Sequence, residues 1–73
     1  MDKQLITLEQ IQARLAEAIK NSGLTQSEIA RCLKVSQSNI SHYLKGDKMP
    51  ALDTLANLCK IIDCDANYIL CQN

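Results

Sequence analysis

A hydrogen-bonding edge is encoded in the stretch SQSNISHYLKG, which runs from Ser36 to Gly46. If this stretch is helical, the spacing puts four polar side chains on one edge: Gln37, Ser38, Ser41 and His42. The opposite edge carries the apolar side chains of Ile40, Tyr43 and Leu44. Charged residues solvate a surface well, whereas amides, hydroxyls and an imidazole make directed hydrogen bonds. Because a Gln amide can pair with N6 and N7 of adenine, the pattern is typical of a surface that reads DNA bases.

The elements that position this edge are predicted to be helices. The chain has 73 residues, which suits one domain over residues 1–73 with its core over about 8–70. Only two aromatic residues, two Gly and one Pro are present, and the apolar residues recur at helical spacing, so we expect an all-α fold with an aliphatic core. No apolar run is long enough to span a membrane, and MDKQLITLEQ lacks the regions of a secretory signal. We therefore expect a cytoplasmic protein.

Capping residues predict where five helices begin. Capping boxes pair Thr7 with Gln10 and Thr25 with Glu28, and a weaker one pairs Ser36 with Asn39. The first helix should end near Asn21 or Ser22, where Gly23 can supply a left-handed stop. A fourth helix should follow Pro50 over about 52–62, although Ala51 caps poorly, and a fifth should begin at Asp65.

The second and third helices are predicted to form a sharp corner. They span about Gln26–Leu33 and Gln37–Lys45, and only the residues around Val35 separate them. The apolar side chains of both helices fit the inside of this corner, with the small Ala30 where the helices approach. This is the spacing of a helix-turn-helix, whose second helix lies in the DNA major groove with its first residues at base edges.

The sequence also resembles the Cro/C1-type (XRE-like) helix-turn-helix regulators of phages and bacteria. The most specific stretch is LTQSEIARCLKVSQSNISHYLKGDKMPALDTLANLCKIIDCDANYIL. The resemblance implies a compact five-helix lambda-repressor-like domain, and hence a sequence-specific transcriptional regulator, a repressor, that binds palindromic operator DNA as a homodimer. It also implies that Gln26 touches the phosphate backbone close to Gln37. The chain departs from the pattern at Lys34, where many members have Gly, and at Tyr43-Leu44, where many have Trp-Glu.

Side chains around the third helix are predicted to contact DNA in two ways. Gln37 should be the main base reader, followed by Ser38, Ser41 and His42. The backbone contacts are expected from Gln26, Asn39, Lys45 and Lys48. Each assignment has an ordinary alternative: exposed helix-start glutamines, a solvated histidine, a helix-capping asparagine or loop lysines.

The formal net charge of zero is distributed unevenly along the chain. Residues 20–48 carry five Lys and Arg against two acidic residues, a net charge of +3, and the remainder carries −3. So small a basic patch predicts weak binding by one subunit and dependence on a homodimer. The predicted pairing surface lies around the fifth helix: Ile62, Ala66, Tyr68, Ile69 and Leu70, with Asp63 beside them. The alternative is that Ile69 and Leu70 close the core of their own subunit.

Other functions receive less support from the sequence. Cys32, Cys59, Cys64 and Cys71 contain no C-x-x-C pair, and His42 is the only histidine, so neither a metal site nor a cofactor is expected. Cys64 and Cys71 should lie roughly 10 Å apart along the fifth helix, whereas spacing leaves open a pairing of Cys59 with either. No nucleophile–base pattern indicates an enzyme. The main alternative function is an antitoxin-like interaction module of a toxin–antitoxin pair.

Overall fold

A computed structural model describes residues 4–72, in which five helices and no strands are present. The helices are α1 (Leu8–Asn21), α2 (Gln26–Leu33), α3 (Gln37–Lys45), α4 (Leu52–Ile61) and α5 (Ala66–Ile69). The all-α class and the order of the helices are as predicted. Two bounds differ: α4 ends at Ile61, and α5 contains only four residues.

Side-chain caps begin four of the five helices. Two of the three predicted capping boxes are confirmed: Thr7 with Gln10 starts α1, and Thr25 with Glu28 starts α2. The weaker box of Ser36 with Asn39 forms only one of its two hydrogen bonds. Ser36 caps α3 by accepting from the backbone N–H of Asn39 at 3.4 Å. The carboxylate of Asp65 caps α5 by accepting from the backbone N–H of Asn67 at 2.9 Å, and α4 begins at Ala51 without a side-chain cap. Each cap satisfies backbone donors that the first helical turn leaves unpaired.

Three helices are followed, within two residues, by a left-handed residue that is not glycine. These residues are Lys34, Asp63 and Cys71, with φ of 60°, 54° and 61°. In each case the next residue donates its N–H back to a carbonyl five positions earlier: Val35 to Ala30 at 3.0 Å, Cys64 to Cys59 at 2.9 Å and Gln72 to Asn67 at 2.8 Å. This is the hydrogen bond of a Schellman motif. A left-handed conformation costs an ordinary residue roughly 1–2 kcal/mol, so the recovered bonds offset local strain.

The core is aliphatic and lies where all five helices meet. Helix α2 packs on α3 and α4, α1 packs on α3 and α5, and α4 also packs on α5. The buried residues are Leu15, Ile19, Ile29, Ala30, Ile40, Tyr43, Leu55, Leu58, Cys59, Ile62 and Ile69. Because Ile40 and Tyr43 supply the inner face of α3, this packing sets which edge of α3 faces outward.

A cluster of three side chains joins α1 to α5. The guanidinium of Arg14 lies 4.8 Å from the centroid of the Tyr68 ring and donates to the backbone carbonyl of Tyr68 at 2.8 Å. The Tyr68 hydroxyl donates to the carboxylate of Glu17. That hydrogen bond raises the pKa of the Tyr68 hydroxyl, because it stabilises the protonated form. The only turn of α5 is thus held against α1 by a polar contact as well as by the core.

Candidate nucleic-acid interface

The outward edge of α3 carries the four predicted base-reading side chains. Gln37 and Ser38 are exposed, whereas Ser41 and His42 are partly exposed. Directly behind them, Ile40 is fully buried and Tyr43 is 4% exposed. The helical spacing therefore gives the predicted two-sided helix. The sequence analysis does not predict one contact here: the hydroxyls of Ser36 and Ser38 lie 3.1 Å apart and share a hydrogen bond.

The turn between α2 and α3 is held by backbone geometry. Lys34 adopts φ 60° and ψ 40°, which is a left-handed conformation. Its neighbour Val35 donates to Ala30 and packs against the core. The turn therefore fixes the angle at which α3 leaves α2. Gln26 opens α2 and is partly exposed.

The loop after α3 folds back onto the outward side of that helix. Gly46 has φ 81° and donates its N–H to the carbonyl of His42 at 3.0 Å. Beyond this turn, Asp47 Oδ1 lies 2.9 Å from Nδ1 of His42, and Lys48 Nζ donates to Oδ1 of Asn39 at 2.7 Å. Asn39 and His42 are three residues apart and therefore lie on the same side of α3. The loop thus brings a hydrogen-bonding partner to each of them.

Asp47 is a site residue that sequence reasoning misses. In the sequence it counts only as one of the negative charges between residues 20 and 48. The available signal is a carboxylate five residues after the only histidine, across a glycine that ends the helix. Such a turn brings the two side chains together, as the 2.9 Å contact shows.

Positive side chains on α2, on α3 and in the turns that follow them are exposed. Lys34, Lys45 and Lys48 are exposed, as is Arg31 on α2. Glu28 lies among them, where its hydrogen bonds to Thr25, first of all to the backbone N–H, lower the pKa of the carboxyl. The Glu28 carboxylate is therefore committed to capping α2, next to the positive end of the helix dipole.

The family comparison agrees with this geometry. A family model described as helix-turn-helix matches residues 15–69, which include the whole of α2, α3 and α4. The chain belongs to the Cro/C1-type helix-turn-helix family.

Two curated members of the wider helix-turn-helix class are similar to this chain. The HTH-type transcriptional regulator ImmR of Bacillus subtilis (strain 168) is 35% identical over 57 residues, which are 78% of this chain and 45% of ImmR. The HTH-type transcriptional regulator DicA of Escherichia coli (strain K12) is 35% identical over 51 residues, or 70% of this chain and 38% of DicA. The chain thus spans less than half the length of these two relatives. No solved structure matches it significantly.

Burial narrows the pairing surface predicted for this helix-turn-helix chain. Ile69 is 0% exposed and Ile62 is 8% exposed, so both belong to the core of their own subunit. We remove both from the predicted surface, because Ile69 has no accessible area for a partner and Ile62 has little. Ala66, Tyr68 and Leu70 are partly exposed and remain available.

All four cysteines of the chain are free thiols. Cys59 is buried, Cys64 and Cys71 are partly exposed and Cys32 is exposed. Burial raises the pKa of the Cys59 and Cys64 thiols, and the nearby charge of Asp65 adds to the effect.

Within residues 4–72, no group of three or more His, Cys, Asp or Glu side chains is arranged to hold a metal ion. Over the same residues, every helix falls short of the length and apolarity that crossing a membrane requires.

Proposed function

We propose that this chain is a sequence-specific DNA-binding transcriptional regulator of a bacterium or phage, acting in the cytoplasm. Helix α3 enters the major groove, Gln37 reads a base, and Ser38, Ser41 and His42 follow it along the groove. The observation that carries this proposal is the hydrogen-bonding edge of α3, which is turned outward by the burial of Ile40 and Tyr43 behind it. This edge, formed by Gln37, Ser38, Ser41 and His42, is called the reading edge below. Similarity to two proteins named as transcriptional regulators supports it.

Backbone phosphates are assigned to the side chains that flank α3. These side chains are Gln26, the first residue of α2, Asn39 and Lys45 on α3, and Lys48 in the loop after α3. Contacts of this kind position a protein on DNA and carry most of the salt dependence, but they do not read sequence directly.

We further propose that residues 1–73 act as one domain and bind a palindromic operator as a homodimer, in order to repress transcription. Ala66, Tyr68 and Leu70 form the pairing surface. They lie in the acidic part of the chain, which DNA repels, and they are partly exposed. A two-fold pair would place its two α3 helices about 34 Å apart, in successive major grooves on one side of the duplex.

Selection of bound sequences from random duplex DNA tests the reading function. The wild-type chain should enrich one motif, and a Gln37→Ala/Ser38→Ala variant should lose that enrichment. Asn57→Ala is the matched control, since Asn57 is an exposed amide on α4 and not on α2 or α3. Absence of any enriched motif with folded wild-type protein would contradict the proposed function.

Sedimentation with the selected duplex tests the dimer. Two subunits should bind a palindromic duplex, and a duplex with one half-site should be bound much more weakly. A tight complex of one subunit per palindromic duplex would contradict pairing.

A further inference from the structure

The contact between His42 and Asp47 has a directional consequence for the imidazole. Nδ1 of His42 and Oδ1 of Asp47 are 2.9 Å apart on the outward side of α3. An ionised carboxylate can only accept hydrogen bonds, whereas a neutral imidazole has one donor and one acceptor nitrogen. The proton of a neutral His42 must therefore be on Nδ1, and Nε2 must be the acceptor.

We propose that Asp47 is a positioning residue that fixes this tautomer and thereby sets which base His42 selects. The inference rests on the proposed function, in which α3 lies in the major groove. In that groove, adenine N6 and cytosine N4 are amino donors, whereas guanine N7 and O6 are acceptors. With Nε2 as an acceptor, His42 selects an amino donor and rejects guanine.

Protonation of the imidazole reverses the hydrogen-bonding role of Nε2. A protonated imidazole donates from both nitrogens, so Nε2 changes from an acceptor of an amino group to a donor toward guanine O6 or N7. Among residues 4–72, Asp47 is the hydrogen-bonding partner of the imidazole. The other charged groups on α3, the following loop and the packed helices α1 and α2 are Lys45, Lys48, Glu9, Arg14, Glu17, Lys20, Glu28 and Arg31. Of these, Arg14 and Glu17 bond to Tyr68, Glu28 bonds to Thr25, and Lys48 bonds to Asn39.

The tautomer can be measured without DNA. Because the chain has one histidine, nitrogen-15 NMR of the imidazole reports His42 without assignment. At about pH 8, where imidazoles are generally neutral, the proton should be on Nδ1 in the wild-type chain and should move toward Nε2 in Asp47→Ala. A proton on Nε2 in the wild-type chain, or no change in Asp47→Ala, would overturn the inference.

Base selection measures the consequence. At about pH 8, wild-type protein should prefer adenine or cytosine over guanine at one position per half-site. Asp47→Ala and His42→Ala should each lose roughly tenfold discrimination at that position, and the double variant should lose no more than either. Asp53→Ala is the control for removing an exposed carboxylate, and it should leave the preference unchanged.

The outcomes separate this inference from the proposed function. Asp47→Ala could instead strengthen binding to all duplexes equally, as loss of a negative charge near phosphates would, with the wild-type preference retained. That result would overturn the positioning role and leave DNA reading intact. A wild-type chain that enriches no motif would overturn the proposed function and the specificity claim together, while the NMR result would still decide the tautomer.

Discussion

Lys48 Nζ donates a 2.7 Å hydrogen bond to Oδ1 of Asn39, which lies in the first turn of α3. The ammonium group is thereby held beside the start of the helix, where the reading edge begins. Lys45, by contrast, is exposed at the last position of α3. The two lysines therefore border opposite ends of the same edge, and one of them is already oriented before DNA arrives.

The first prediction separates phosphate contacts from base contacts. Lys45→Ala and Lys48→Ala should each weaken binding to all duplexes similarly and reduce the slope of log K against log salt by about 1, because each removes one phosphate contact. Titrations at several salt concentrations measure the slope. Lys60→Ala, which removes an exposed lysine from α4, should change neither quantity. A loss confined to the selected motif would show that the lysine reads bases.

A second prediction concerns Gln37. Gln37→Ala should lose about 1–3 kcal/mol of binding free energy at the selected motif and should accept other bases at one pair per half-site. Binding to the motif and to its single-base variants measures both effects, with Asn57→Ala as the control. Equal losses on the motif and on random DNA would remove Gln37 from the reading set.

The left-handed helix ends predict opposite effects of glycine and alanine. Asp63→Gly should raise the free energy of unfolding by about 0.5–1 kcal/mol. Glycine adopts φ 54° without the strain that aspartate bears there, and this gain exceeds the loss that comes from the greater freedom of glycine in the unfolded chain. Gly23→Ala should lower it by about 1 kcal/mol. Gly23 has φ 79° and open space where a Cβ would stand, so the loss would come from the backbone alone. Urea unfolding measures both changes, and a destabilised Asp63→Gly would show that the aspartate side chain itself stabilises the turn.

The thiols should differ in reactivity according to burial. Cys32 is exposed, whereas burial raises the pKa of Cys59 and so lowers its thiolate fraction near neutral pH. Iodoacetamide should therefore modify Cys32 first and Cys59 last, as followed by mass spectrometry of digested protein.

The raised thiol pKa values also give the direction of a pH effect on stability. The folded state holds the protons of Cys59 and Cys64 more tightly than the unfolded state does. The two thiols therefore add to the free energy of unfolding below the ordinary thiol pKa, and this added stability is lost as pH rises through the raised pKa values. Cys59→Ala should flatten this alkaline loss. An equally steep loss in that variant would assign it to other groups.

The features that the sequence predicts correctly are those that depend on local chemistry. Thr7 and Thr25 each find a partner three residues later, because a capping box is closed within one turn of chain. The sharp corner between α2 and α3 likewise follows from the short connection around Val35. The contact of Asp47 with His42 is not predictable in this way, since it depends on how a loop leaves Gly46. The sequence leaves the burial of Ile69 as one of two alternatives, because helical spacing alone does not say which apolar side of α5 meets the core. The burial of Ile62 depends on how the turn after α4 packs, which the spacing does not give.

The attachment of α5 to α1 links assembly to the completion of folding. A helix of four residues is too short to persist by itself, so α5 depends on the packing of Ile69 and on the contact of Tyr68 with Arg14, 54 positions earlier. The pairing surface proposed on Ala66, Tyr68 and Leu70 therefore exists only after the first and last helices have come together. A chain in which α2 and α3 have formed but α1 has not docked would have the reading edge but would lack the proposed pairing surface. Such an incompletely folded chain could not dimerise, and it would therefore bind the operator only as a weak single subunit.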